Sequence, residues 1–304
     1  MLTVSREFAD RITGAFGSDG EHWLAVLPTT LQELSLKWSL MLDTPFEDMA
    51  YNYVTPATRS DGSRAVLKVG VPNPELYFEI SALRAFGGRG TVHLLDADSD
   101  LGALLLERLD PGQPILDLGD DDHATSAACD VMLELQKVSI DNGSFPTVAD
   151  WGKGLDRLRF EFGGGTGPFP ASIVERAESD LRELSNSMGE PRLLHADLHH
   201  WNVLSARRSP WLAIDPKGLI GELEYETGAW IRNPIPALLD WTDARMILRR
   251  RIDRIAERLE FDPERILAWG IYQAVLAGWW SYEDGQPNWE KWAAIAELIA
   301  GSEK

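Results

Sequence analysis

The sequence predicts an α+β fold of two lobes, a small five-stranded antiparallel sheet with one main helix followed by a larger, mostly helical part. Short alternating apolar runs crowd the first third of the chain. Helical spacing of apolar residues dominates after residue 114, and the stretch DPGQP at 110–114 separates the two regimes. The expected division is 1–108, which also carries an extra N-terminal helix, and 109–304.

Val4, Phe8, Ile12 and Ala15 recur at helical spacing, so 4–16 reads as a helix. SLKWSLML (35–42) alternates and reads as a strand. AYNYVTPAT (50–58) and RAVLKVG (64–70) are two more, joined through the turn SDGS at 60–63, and together they suggest a meander. A helix follows over 73–87: Asn73 is a good N-cap, Pro74 suits the first position, and Leu76, Ile80 and Leu83 share a face. Gly87 and Gly88 end it. VHLLDADSDLGALLLERL (92–109) supplies two strands around a DSDLG turn. Beyond the linker, helices are expected over 122–138, 151–161, 171–188, 243–260, 263–282 and 288–300. LLHA, NVLS and WLAIDP read as short strands set among them. FGGGTGPFP (162–170) is a loop and not a phosphate loop: it lacks the GK[ST] ending and does not join a strand to a helix.

Composition narrows the function. No apolar run approaches a membrane span, and no basic segment with an apolar core opens the chain, so neither a membrane nor a signal peptide is expected. Cys129 is the single cysteine; it excludes an internal disulfide and a cysteine-based zinc site and fits a reducing cytoplasm. A net charge of −19 disfavours nucleic acid and favours a cationic small molecule. Trp279, Trp280, Trp289 and Trp292 crowd the C-terminal region and are candidates to wall a ligand site.

HADLHHWNVL, at 195–204, admits two chemistries. His195, Asp197, His199 and His200 have the types and spacing of the metal loop of metallo-hydrolases. Such binuclear sites need further histidines downstream, and none of the six histidines lies beyond residue 200. The second reading is a kinase catalytic loop. Asp197 and Asn202 have its D-x-x-x-x-N spacing, and His195 precedes Asp197 by two. Asp215, in LAIDP, stands where such enzymes place a metal-binding aspartate. Lys68 ends AVLK on the third strand, and Glu79 in the following helix is available to pair with it, with Glu75 one turn earlier as competitor. LLLERL (104–109) runs into a linker suited to an adenine-binding hinge.

With these residues in this order, the chain resembles the aminoglycoside phosphotransferases, which share the protein-kinase-like fold. HADLHHWNVL, IDPKGLIGE and WIRNP (230–234) are similar to the branch containing streptomycin 6-phosphotransferases and hydroxyurea phosphotransferases, over roughly 35–285. The resemblance implies Asp197 as general base, Asn202 and Asp215 as holders of Mg2+, and Lys68, kept in place by Glu79, on the α- and β-phosphates of ATP or GTP. It implies that the main chain of Glu107–Leu109 reads the adenine edge. His195 is expected to brace the loop, His199 and His200 to pack or bond its backbone, and Trp201 to pack beneath it.

The departures point to a constitutively active small-molecule kinase. Ala196 stands where regulated protein kinases have arginine, Pro216 and Lys217 follow the metal aspartate, and the loop 43–52 replaces a Gly-rich loop over the phosphates. Acceptor candidates are Asp240, Asp243, Glu283 and Asp284, whose carboxylates near Trp241 and Trp280 suit a guanidinium or ammonium group. Glu222, Glu224 and Glu226 alternate and read as one exposed face. The expected acceptor is streptomycin-like, with another sugar, an amino alcohol or a hydroxyurea-like compound as alternatives. Outside the kinases, the alternatives are the metallo-hydrolase and a nucleotide-binding module without catalysis.

Overall fold

The computed structural model describes residues 4–47, 49–139, 145–286 and 289–302. Asp48 of the 43–52 loop and Asn288, first residue of the last expected helix, lie outside the described residues, as do residues 1–3 of the N-terminal segment. The chain divides into two compact units, Met1–Gly88 with Val92–Asp110, and Arg89–Thr91 with Pro111–Lys304.

The first unit opens with α1 (Arg6–Trp38), capped by the Ser5 hydroxyl accepting from Phe8 N and broken once at Gly17, where φ is +55°. The helix is much longer than the sequence suggests. Trp23, Leu27, Leu31 and Leu34 continue the buried stripe past the break at helical spacing, so burial carries the helix through Pro28. The strand expected over 35–42 is therefore mostly helix. Leu36 points into solvent, Ser39 turns the chain at φ +52°, and β1 is confined to Leu40–Leu42.

β2 (Asn52–Arg59), β3 (Arg64–Gly70), α2 (Pro74–Phe86), β4 (Leu94–Asp98) and β5 (Ala103–Glu107) follow the expected order. The strands form one antiparallel sheet, β1-β2-β3-β5-β4. Alternation along β3 divides its residues between two faces. Leu67 and Val69, with Tyr53 and Ala103, pack against Phe8, Ile12, Trp23, Leu27, Leu31 and Leu34 of α1. Lys68 points to the other face, where it meets α2. One side of the sheet is thus covered by the apolar stripe of α1 while the other carries the cation.

The second unit contains α3 (Asp121–Leu135), α4 (Val148–Glu161), α5 (Ala171–Asn186), β6 (Arg192–Leu194), β7 (Val203–Ser205), β8 (Trp211–Ala213), β9 (Leu219–Gly221), α6 (Thr227–Ile231), α7 (Ala237–Asp240), α8 (Ala244–Leu259), α9 (Pro263–Glu283) and α10 (Trp289–Ala300). α9 is the hub: it is apolar almost all round and packs against α4, α5, α6, α8 and α10. β6 pairs with β9 and β7 with β8, both antiparallel. β9 is a strand that hydropathy alone does not mark, because three residues are too few to show a period.

Candidate active site

In the first unit, Lys68 Nζ donates to both carboxylate oxygens of Glu79, at 2.7 and 2.9 Å. Both residues are buried, whereas Glu75 is exposed one turn earlier. A buried ammonium requires a partner. The register that turns Leu76 and Ile80 into the core brings Glu79 to it. Glu107 N–H donates to His93 O at 2.9 Å, so the donor of this expected adenine-reading residue is already used within the sheet. Leu109, two residues on, is buried.

In the second unit, two loops are stitched together at the ends of the short strand pairs. The segment 195–202 links β6 to β7, and 214–218 links β8 to β9. Ile214 N–H donates to Asn202 O (2.9 Å) and Lys217 N–H to His195 O (2.8 Å). Asn202 and Asp215 therefore lie at the same end of the β7–β8 pair. Asn202 Nδ2 donates to Asp197 O at 3.0 Å, which fixes the amide and orients its Oδ1 away from that carbonyl. Ala196 and Asp215 both occupy the left-handed region, at φ +66° and +59°. The loops are over-determined by their cross-bonds, which hold these non-glycine residues in a conformation they disfavour.

Asp197 is met by Arg232, whose Nη2 donates to Oδ1 at 3.1 Å, and His199 Nε2 stands 3.8 Å from Oδ2. Burial opposes ionisation of Asp197. The neighbouring His199 ring, the Arg232 guanidinium and the Lys217 ammonium outweigh burial and hold its carboxyl below the usual carboxylate range.

The histidines diverge. His195 accepts Asp197 N–H on Nδ1 (3.3 Å), so its Nε2 donates to Ile214 O (2.8 Å); this neutral ring is the brace expected of it. Burial pushes its pKa down to about 4. His199 Nδ1 accepts Trp201 N–H at 3.3 Å. His200 lies flat on Trp230, centroids 3.9 Å apart, and its Nε2 faces Arg251 at 3.4 Å. These rings turn to separate partners, which is not the geometry of a shared cage. Among the described residues, no group of three or more His, Cys, Asp and Glu is arranged to hold a metal ion. Magnesium asks less, since it accepts one or two protein oxygens beside phosphate and water. The fixed Asn202 amide and the Asp215 carboxylate, on residues at the same end of the β7–β8 pair, are oxygen donors of that kind. Trp201 does not pack beneath the loop: it is 40% exposed, edge-on to His199.

The most important residues that sequence reasoning passed over lie just downstream. Glu226, read as exposed, is buried and accepts His195 N–H (2.7 Å) and Ala196 N–H (2.9 Å), one on each oxygen. Burial pushes its pKa up to about 7 against the pull of those two donors. Glu222 is also buried, bound by Arg265 and by Trp269 Nε1 at 2.5 Å. Gly228 permits this packing, because a Cβ there would collide with Gln273, which donates to Tyr225 O at 2.6 Å. Arg251 is fully buried; it pairs with Asp121 and donates to Asn233 O at 2.5 Å. Of the acceptor candidates, Glu283 is gripped by Arg157 at 2.6 and 2.8 Å. Asp240 and Asp243 are exposed at the α7–α8 junction, and Asp284 is exposed at the end of α9.

Residues 37–285 match the model of the family described as aminoglycoside/hydroxyurea antibiotic resistance kinase. The chain belongs to that family. It is 32% identical to a streptomycin 6-kinase of Streptomyces glaucescens over 99% of this chain and 98% of that one. It is 33% identical to a hydroxyurea phosphotransferase of Kitasatospora aureofaciens, over 94% of this chain and 82% of that one. Among solved structures, a thermostable mutant of the aminoglycoside phosphotransferase APH(4)-Ia, in a ternary complex with ADP and hygromycin B, aligns with a TM-score of 0.63 at 16% identity, covering 89% of this chain and 96% of that one. That likeness establishes the protein-kinase-like fold. Membership of this kinase family sets the metallo-hydrolase reading aside. Among the described residues, no helix is long and apolar enough to cross a membrane.

Proposed function

We propose that this member of the resistance-kinase family transfers the γ-phosphate of a magnesium nucleotide to a hydroxyl of a streptomycin-like aminocyclitol. The observation that carries the acceptor assignment is the extent of the streptomycin 6-kinase relationship, which runs over nearly the whole of both chains and so includes the helical unit where acceptor contacts are expected. The net charge of −19 agrees with a cationic acceptor.

Asp197 is the general base. Its carboxylate is kept ionised by the surrounding cations and orients and receives the proton of the attacking hydroxyl, a role typically worth about 10²–10⁴-fold. Asn202 and Asp215 hold magnesium through oxygen, and the ion, when bound, offsets charge on the phosphate oxygens. Lys68 contacts the α- and β-phosphates as a point charge, with Glu79 fixing its ammonium. The main chain of Glu107–Leu109 meets the adenine edge, the donor coming from Leu109, since Glu107 N–H is bonded to His93. Asp240, Asp243, Glu283 and Asp284 are the acceptor-side carboxylates, Glu283 having first to exchange its Arg157 partner. The nucleotide and this reaction fit a cytoplasmic enzyme with one buried, unreactive thiol, Cys129.

A second reading has its own support: the hydroxyurea phosphotransferase relative is as similar by identity. Incubation with MgATP or MgGTP and either streptomycin or hydroxyurea, read by mass spectrometry, separates them. A streptomycin adduct one phosphoryl group heavier is expected; an adduct on hydroxyurea alone replaces the acceptor assignment, and none on any hydroxyl compound removes the kinase assignment.

A further inference from the structure

Two arginines of the second unit are used in contrasting ways. Arg251 is a framework residue: its guanidinium bonds to Asp121, to the Trp230 and Asn233 carbonyls and to His200. Arg232 is half-buried, at 13% side-chain exposure, and among the described residues its side chain bonds to one acceptor, Asp197 Oδ1. Its Nε is buried with no hydrogen-bond partner. A buried guanidinium Nε left without an acceptor is costly unless the position serves something else.

The surroundings of Arg232 hold it still. Its main-chain N–H closes α6 on Gly228 O at 3.1 Å. The next residue, Asn233, donates to Ala229 O at 2.9 Å and accepts from Arg251. The guanidinium itself lies over the Trp292 ring of α10, 5.1 Å from its centroid, a cation–π support that uses no donor. Trp292 is one of the tryptophans that the sequence left as a candidate ligand wall; here its ring backs an arginine.

We propose that Arg232, braced on Trp292, is a positioning residue for phosphoryl transfer: it holds Asp197 by Oδ1 so that Oδ2 is presented to the acceptor hydroxyl. The inference rests on the assignment of Asp197 as general base. The RNP segment thereby acquires a function in the reaction, and the C-terminal helix is tied to the base although neither Trp292 nor Arg232 belongs to the catalytic loop.

Steady-state kinetics with MgATP and streptomycin test it in D197N, R232A, R232K and W292L. R232A is expected to lower kcat about ten- to hundredfold, because small misplacement of a reacting group is that costly. Its KM values for both substrates should stay within about threefold. Added ethylguanidinium should restore part of kcat in R232A and none in D197N. R232K should fall between, keeping the charge without the planar fork. W292L should lower kcat in the same direction by a smaller factor, and it keeps the test alive if R232A does not fold. An R232A kcat that is unchanged or raised, or an effect confined to KM, overturns the positioning role. Full turnover by D197N instead overturns the base assignment beneath it, so the two failures are distinguishable.

Discussion

Glu226 accepts the main-chain N–H groups of two consecutive residues, one of which, Ala196, is held at φ +66°. This side chain fixes the entry to the 195–202 loop. Burial raises its pKa to about 7, so in the folded protein it keeps a proton that the unfolded chain releases near the ordinary carboxylate value. Stability should fall as pH rises between those two values, since the folded state binds more protons there. His195, pushed down to about 4, acts in the opposite direction as pH falls below its ordinary value, so the difference between wild type and variant is the informative quantity. Denaturant unfolding of E226Q at several pH values should show the wild type losing on the order of 2–3 kcal/mol relative to the variant between pH 4.5 and 7.5. A constant difference over that range would mean the group is not perturbed.

Arg251 is expected to matter most for stability. R251M leaves Asp121 without its partner and the Asn233 carbonyl without a donor, and should cost about 3–5 kcal/mol. Thermal unfolding checks this. Because the same guanidinium faces His200, kcat should also fall in whatever fraction remains folded.

The Lys68–Glu79 pair, at 2.7 and 2.9 Å, predicts a nucleotide defect and not an acceptor defect. K68M should lower kcat/KM for MgATP by about 100-fold, equivalent to about 2.7 kcal/mol of transition-state stabilisation. E79Q should lower it by a smaller factor. KM for streptomycin should be little changed in both. Initial rates with each substrate varied in turn decide the matter.

Glu260 ends α8 at φ +58°, a left-handed cap occupied by an exposed glutamate. E260G removes that strain and should raise stability by up to about 1 kcal/mol, the gain being reduced by the greater freedom of glycine in the unfolded chain. A small rise in Tm with unchanged kinetics is the expected result.

The order of elements and the Lys68–Glu79 pair are legible in the sequence where local signals agree. AVLK with Glu79, and the spacing of Asp197, Asn202 and Asp215, stand out because phosphoryl transfer needs those side-chain types on those elements. The capped helix from Asn73 was equally plain, its Asn side chain accepting Leu76 N–H at 3.1 Å. What escaped notice depends on tertiary burial. α1 continues past Gly17 because Trp23, Leu27, Leu31 and Leu34 find the sheet, and no local pattern at 35–42 reveals that. Glu226 looks like any surface glutamate until the chain brings the N–H groups of His195 and Ala196 to it. Arg232 was visible within WIRNP, but its partner lies 35 residues earlier and its support lies in α10.

The most direct measurement compares wild type and D197N in a single assay, MgATP with streptomycin, following formation of the phosphorylated acceptor by mass spectrometry. Wild type should yield a product one phosphoryl group heavier, and D197N should yield it at least about 10²-fold more slowly with its fold intact. Equal rates in the two proteins, or no phosphorylated product from the wild type, would contradict the proposal.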